Sequence, residues 1–248
     1  MRPDTIQRLN QLNRSFYAEQ AAEFDSTRRG AWTGFAQVLD QRRRRDPGPL
    51  SVLDLGCGNG RFGEYLFQRW PGPVRYAGVD QSAQLLAQAR RRLKHWSGVS
   101  LRRADLIEGL QSDPGRHHLV AAFGLMHHVP GFTTRRRVLE RALEAVSPGG
   151  ELVVTFWQFA DRKRFSRRIV PWSELGRHAE PDVDTDDLEP GDHLLRWGSG
   201  PTAVRYCHHA SSTEVERLLS GLACPVVDRF RMDGAGGDLN RYVILSPT

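Results

Sequence analysis

The sequence predicts an α/β fold: a doubly wound, mostly parallel sheet of seven strands, helices on both faces, and an antiparallel hairpin at its C-terminal end. Three observations carry this. Short apolar segments alternate with helical periodicities between residues 51 and 157, and such alternation builds parallel sheets because a helix must carry the chain back between strands. Residues 118–123 are nearly all apolar, as a strand covered on both faces must be. After residue 204 the pattern changes to one helix and two strands around a glycine-rich turn.

The elements follow in order. Ile6, Leu9, Leu12, Phe16 and Ala21 recur at helical spacing and predict a helix over 5–24. A second helix over 31–44 ends in the run Arg42, Arg43, Arg44, Arg45 and is broken by Pro47, Gly48 and Pro49. Residues 51–55 form the first strand and enter a glycine-rich turn, with a helix from about 60 to 70. Strand 74–79 precedes a helix over 82–94 that Ser82 can cap. Strands follow at 99–102 and 118–123. A helix over 134–146 is turned by Pro148, Gly149 and Gly150 into strand 151–157. Residues 158–203 are irregular: 162–168 is basic, while 180–192 is acidic and holds Pro181 and Pro190. This stretch reads as an inserted loop or small subdomain whose acidic half is a solvated loop. A helix over 211–222, capped by Ser212 or Thr213, leads to strands 226–231 and 241–245 around the turn 233–238.

Composition narrows the class. The 248 residues (28.0 kDa) are 39% hydrophobic and 26% charged, which suits one sizeable globular core rather than disorder. The longest apolar run, 119–126, is far short of a membrane span. The polar N-terminus, with no apolar stretch behind Arg2, predicts no secretory leader. Cys57, Cys207 and Cys224 are too widely spaced for a disulfide framework or a zinc pattern, so the expected compartment is the reducing cytoplasm. The net charge of +6 suggests an anionic partner such as nucleic acid. Because Lys94 and Lys163 are the only lysines, genomic bias toward arginine is the competing explanation.

The informative segment is Val52-Leu53-Asp54-Leu55-Gly56-Cys57-Gly58-Asn59-Gly60. A strand ends in an acid, and glycines follow where the chain must turn sharply and approach a ligand closely. Asp80 ends the next strand 20 residues beyond Gly60, a spacing at which an acid can accept from a ribose diol. The turn lacks the G-x-G-x-x-G form suited to a pyrophosphate. Asp54 beside it favours an amine or sulfonium over a phosphate.

Asp54 to Gly60, Gly78-Val79-Asp80, Ala104-Asp105-Leu106 and Ser147-Pro148-Gly149-Gly150 together resemble the successive motifs of class I S-adenosylmethionine (SAM)-dependent methyltransferases, over roughly residues 15–157. The resemblance implies a Rossmann-like fold with SAM as cofactor. It implies that Asp54, Gly56, Cys57, Gly58 and Gly60 line the methionine moiety, and that Asp80 holds the ribose with Gln81 beside the adenine. Asp105 would bind the adenine amino group, with Leu106 near the ring. Phe123 is a further expected cofactor contact, and Tyr17 and Arg28 would close over the methionine tail. On this basis the chain is one domain: a helical cap (1–46), a cofactor-binding core (47–157), an insertion (158–203) and a C-terminal helix and hairpin (204–248).

Phe16-Tyr17, the stretch from Phe24 to Arg28, Gly124 to Val129, Ile169 to Trp172 and Arg205 to His209 are similar to the tRNA wobble-uridine carboxymethyl methyltransferases, including the domain fused to AlkB-type hydroxylases. That resemblance implies O-methylation of the carboxylate of a 5-carboxymethyl-type wobble uridine, and leaves open a small zinc-binding activator partner. The closing Leu239-Asn240-Arg241-Tyr242 departs from the subgroup's Asn-Trp-Trp pattern. A small-molecule O- or N-methyltransferase and a non-catalytic SAM-binding module are the alternatives.

His127 and His128 follow the fourth strand at its C-terminal end, where open α/β sheets bind ligands. Either could act as a general base. Adjacent histidines on a strand point to opposite faces, and no acid or cysteine completes a ligand set, so no metal is expected. A carboxylate acceptor needs cations or stacking groups to hold it. The candidates are Arg167, Arg168, Arg205 and Arg241, with Trp157, Trp172, Tyr206 and His208.

Overall fold

The computed structural model describes residues 1–27, 30–109, 115–177, 183–198 and 203–247, without the side chains of 24, 25, 27, 176 and 177. The chain opens with two helices, α1 (Pro3–Thr27) and α2 (Thr33–Arg45). The alternating core follows: β1 (Leu50–Leu55), α3 (Arg61–Arg69), β2 (Val74–Asp80), α4 (Ala83–Leu93), β3 (Val99–Arg103), β4 (His117–Ala122), α5 (Phe132–Glu144) and β5 (Val146–Trp157). Next come α6 (Lys163–Ser166), β6 (Ile169–Val170), β7 (Asp192–Arg196) and β8 (Val204–His208). The chain closes with α7 (Ser212–Ser220), β9 (Val226–Met232) and β10 (Asn240–Leu245).

The main sheet has the order β3-β2-β1-β4-β5-β10-β9. Its first five strands are parallel, and β10 and β9 are antiparallel. The α/β class, the seven strands and the edge hairpin are those the sequence predicts. All six residues of β1 are buried, and both faces of the sheet are covered by apolar clusters. The order reverses between β1 and β4, so the crevice beyond their C-terminal ends is the natural ligand position.

Local differences have local causes. Ser82 caps α4 by accepting from Leu85 N, as expected. The cap of α7 is Ser211, whose side chain accepts from Glu214 N, rather than Ser212 or Thr213. α5 stops at Glu144, because Val146 already pairs with His117.

The stretch after β5 is more ordered than its composition suggests. β6, β7 and β8 form a separate antiparallel sheet. Leu9 and Leu12 of α1 pack on it with Val170, Leu194 and Tyr206. The described part of the acidic segment is not a free solvated loop. Asp184 and Asp187 pair with Arg2, Glu189 with the buried Arg135 of α5, and Asp192 with Tyr206 and His208. Those acids tie the segment before and within β7 to α1, α5 and β8. Among the described residues no helix is long and apolar enough to cross a membrane.

Candidate active site

A cavity of about 530 Å³ opens at the C-terminal ends of β1, β2 and β4, under α1 and beside the second sheet. Its floor is the turn after β1. Gly56, Gly58 and Gly60 have φ of 74°, 55° and 77°, a left-handed run that residues with a Cβ adopt only with strain. A Cβ on Gly58 would meet nothing within 4 Å, so that side of the turn is open. Gly60 does something different from what the motif suggests. It does not line the cavity; it ends at the start of α3, where a Cβ would lie 3.0 Å from the Ala89 Cβ of α4. Its task is close helix packing.

Asp80 braces the same turn from β2. Its Oδ2 accepts from Gly58 N (2.9 Å) and its Oδ1 from Ser82 N (2.8 Å). Burial pushes its pKa up, against the N–H groups of Ser82, Gly58 and Gln81. Asp54 lies deeper, 2% exposed, accepting from the Tyr76 hydroxyl at 2.5 Å. Burial is the main reason its pKa is pushed up to about 7. Asp80 adds to the shift, while the Tyr76 hydroxyl and Arg61 work against it. Cys57 is a buried thiol in the turn, also pushed well up by burial.

At the far end, Gln81, Asp105 and Leu106 line the cavity as expected. Asp105 is already engaged: Oδ1 accepts from Ile107 N (2.8 Å), and Oδ2 from Asn10 Nδ2 (2.6 Å) and Arg14. Arg14 Nε also donates to Gln81 Oε1 at 3.3 Å. Asn10 and Arg14 do not line the cavity but hold residues that do; they were not legible in this role, because only the tertiary fold lays α1 across this end. Phe123 lines the opposite side with Trp32, whose ring carries Arg61 at 4.6 Å.

The second wall is built around Arg205 of β8, 3% exposed. Its guanidinium lies against Trp197 (5.0 Å), Phe16 (5.5 Å) and Trp157 (5.7 Å). Its one hydrogen bond among the described residues runs from Nη1 to the Tyr17 oxygen (2.9 Å), and its buried Nε has no partner. The Tyr17 oxygen accepts from Arg205 and is also in hydrogen-bond contact with His128 Nε2 at 2.8 Å. Burial, with Arg205 close by, holds the His128 pKa well below the ordinary imidazole value, against a hydrogen bond to the Tyr206 backbone. His128 lines the cavity as a neutral, anchored ring. His127 is 9% exposed, lines the cavity and meets the Trp157 ring edge-on at 4.9 Å.

Cys207 of β8 brings its sulfur near both imidazoles, with ligand atoms within 4.8 Å of one another. Sequence distance concealed that grouping. Burial pushes the Cys207 thiol up to about 11, with Arg205 opposing the shift.

Tyr17, expected over the methionine tail, lines the cavity; of the expected substrate contacts, Trp157, Arg168 and Arg205 line it and the others do not. Alternation along β8 explains two of these: Arg205 faces the cavity, so Tyr206 and His208 face away. The Tyr206 hydroxyl donates to Asp192 (2.7 Å), and His208 is held by Asp192 (2.7 Å) and Glu214 (2.8 Å). On β10, Asn240 lines the cavity, so Arg241 points to α7 and pairs with Glu216. Trp172 packs in the apolar cluster that includes Leu9 and Leu12. Arg167 is exposed beyond the lining. Arg28 lies outside the described residues. Arg164, Phe165, Trp197 and Asp233 line the cavity without having been singled out; the first two sat unnoticed inside the basic run 162–168.

The open flank at Gly58, the braced acid at Asp80 and the buried acid at Asp54 together fit a ligand carrying a ribose and positive charge. Residues 52–150 match the family described as a methyltransferase domain. A trans-aconitate 2-methyltransferase of Rhodopseudomonas palustris (strain BisA53) is 35% identical over 188 residues, 70% of this chain and 67% of that protein. A probable tRNA methyltransferase 9B of Mus musculus is 26% identical over 176 residues; the match covers 70% of this chain and only 36% of the mouse protein. The fold is similar to the magnesium protoporphyrin IX methyltransferase from Synechocystis PCC 6803 with bound SAM (TM-score 0.62, 13% identity, 96% of this chain and 97% of that one). It is also similar to the N-methyltransferase NodS from Bradyrhizobium japonicum WM9 with S-adenosyl-L-homocysteine (SAH) (TM-score 0.58, 17% identity, 97% of each chain). Sequence kinship and fold agree with the motif geometry: the chain belongs to the class I S-adenosylmethionine-dependent methyltransferases.

Proposed function

We propose that this enzyme methylates a carboxylate oxygen of an anionic acceptor, and that Arg205 holds that carboxylate. One observation carries the reading. A buried arginine lines the cavity, ringed by three aromatic faces, with no carboxylate partner among the described residues. A guanidinium in such a place matches a carboxylate through two parallel hydrogen bonds.

SAM supplies a methyl group on a positively charged sulfur and leaves as the neutral thioether SAH. The residues proposed to hold it are Asp80 at the ribose, Asp54 and the turn from Gly56 to Gly58 at the methionine moiety, and Gln81, Asp105 and Leu106 at the adenine. An acceptor carboxylate is already ionised near neutrality, so no protein group has to remove a proton. The neutral, anchored His128 is consistent with that. Tyr17 and His128 orient Arg205, while Trp157, His127 and Phe123 exclude water, so the protein's part is alignment.

The acceptor proposed first is the carboxymethyl group of a tRNA wobble uridine. Exposed Lys163, Arg164 and Arg167, with Phe165, continue the cavity rim as a basic surface bearing an aromatic ring, which suits RNA. Kinship to tRNA methyltransferase 9B supports it. The second reading is a small polycarboxylate, favoured by the relative named for trans-aconitate. The relatives named above give no support to a zinc-binding activator, and none enters the proposal. Methyl transfer from labelled SAM is measured with bulk tRNA, followed by nucleoside analysis, and in parallel with trans-aconitate. Label in a carboxymethyluridine ester supports the first reading, and label only in the small acid supports the second. Label in neither carboxylate, or an unchanged KM in Arg205→Lys, rejects carboxylate recognition.

A further inference from the structure

Apart from Glu23, Arg61 and Asp233, the charged lining is divided across the cavity. The acids Asp54, Asp80 and Asp105 lie on the wall formed by the core strands and the loops after them. The opposite wall, from α6 to β8, carries Arg164, Arg168, Arg196 and Arg205. Of these four, Arg196 is paired with Glu174 at 2.7 Å. Arg164 lies against the Phe165 ring at 5.4 Å, and neither it nor Arg168 has a carboxylate partner among the described residues. The two differ in depth from Arg205. Arg205 is buried behind Trp157 and Trp197, whereas Arg164 is exposed and Arg168 part-buried.

Their backbone is well placed. Arg168 O accepts from Arg196 N at 2.9 Å, immediately before β6 joins β7. Arg168 N donates nearby to Phe165 O at 2.9 Å, so α6 and β6 present both side chains from a closed turn. A single carboxylate at Arg205 leaves this outer pair of cations unused.

We propose that Arg164 and Arg168 form a second anion subsite, so that the substrate carries two negative groups. One is the carboxylate at Arg205, and the other, a carboxylate or a phosphate, sits at the rim. The inference rests on the carboxylate reading above and specifies it further. Phe165, between the two arginines in sequence and touching Trp157 edge-on at 5.0 Å, bounds the passage from the rim to the buried site. The shared chemistry is a rigid or short dianion; a small polycarboxylate and a carboxymethyl nucleotide are its two sources.

The test is calorimetry on the full-length, SAH-loaded protein. Four probes are used: butyrate, glutarate, 5-carboxymethyluridine and 5-carboxymethyluridine 5′-phosphate. Each pair differs by one anionic group. In the wild type the dianion of at least one pair binds about tenfold more tightly than its monoanion, the scale of one charge-assisted contact at a partly exposed site. In Arg164→Ala/Arg168→Ala that ratio falls to within about twofold of one. SAH affinity and the melting temperature check that the variant is folded, and Arg168→Glu is a second variant in which the ratio inverts. A preference for glutarate points to a small acid as the source, and a preference for the nucleotide phosphate points to RNA. A ratio equal in wild type and variants overturns the subsite, and leaves the carboxylate reading standing if Arg205→Lys still weakens the monoanion. Binding of none of the four probes overturns both.

Discussion

SAM affinity should depend on pH through Asp54. The carboxyl is held at about 7, chiefly by burial, with Asp80 adding to the shift and the Tyr76 hydroxyl and Arg61 opposing it. A cationic ligand prefers the ionised form, so binding draws the proton off. With a pKa near 7, about 3% of Asp54 is ionised at pH 5.5 and about three quarters at pH 7.5. If the ionised form is the one that binds, affinity rises about 25-fold over that interval, roughly 1.9 kcal/mol. The upper limit stays below the ~8 midpoint of an α-amino group. The assay is calorimetric titration of SAM at half-unit steps, repeated in two buffers of different ionisation enthalpy to count the protons released. Asp54→Asn keeps the volume and an acceptor for Tyr76 but cannot ionise, so its affinity should be flat and close to the wild-type value at low pH. Equal wild-type affinities at pH 5.5 and 7.5, or the same slope in Asp54→Asn, would refute the assignment of that proton.

Other outcomes follow from the same geometry. Asp80→Ala removes the acceptor for Gly58 N and Ser82 N as well as the proposed ribose contact; a loss of about 3 kcal/mol, over a hundredfold in SAM affinity, is expected by calorimetry, and unchanged affinity sinks the ribose role. Gly60→Ala should lower unfolding free energy by about 2–3 kcal/mol, since strained φ and a 3.0 Å contact with Ala89 combine. Gly58→Ala, with φ of 55° but open space, should lower it by only ~1 kcal/mol; denaturant melts showing the reverse order contradict the two roles. His208→Ala leaves Asp192 and Glu214 without their shared partner and should destabilise by about 3 kcal/mol. Burial opposes the charge of His208, but its hydrogen bonds to Asp192 and Glu214 raise the pKa above the ordinary value. Its contribution is therefore full below about 6.5 and lost as pH rises through the raised value. The stability gap between wild type and His208→Ala should narrow from pH 6 to pH 9, and a constant gap argues against the charged form.

Local patterns made the cofactor half of the molecule readable. A buried strand such as β1 announces itself by continuous apolar residues, and the glycine turn by residues whose φ only glycine adopts easily. Asp54 and Asp80 follow because each lies at the C-terminal end of its strand, the last residue but one of β1 and the last of β2, and strand ends meet the ligand crevice in this topology. The substrate half was legible only in residue type. Arg205, Tyr206, His208 and Arg241 were equal candidates on the page. Strand alternation put Arg205 into the cavity and turned the others toward Asp192, Glu214 and Glu216. No local rule gives the phase of that alternation when both faces are buried, as they are along β8.

By itself, then, the sequence determined the α/β class, the seven-stranded order of elements, and a SAM-type turn between β1 and α3, because short-range periodicity and glycine conformations encode these. Only the tertiary structure decided which cations line the cavity without a carboxylate partner among the described residues. It paired off Arg2, Arg135, Arg196 and Arg241 with carboxylates distant in sequence. It left Arg205 buried among aromatic rings with Tyr17 as its hydrogen-bond partner. Whether a charge is neutralised depends on what packs within a few ångströms of it, and that is settled by the approach of α1, β8 and the second sheet, not by neighbours along the chain.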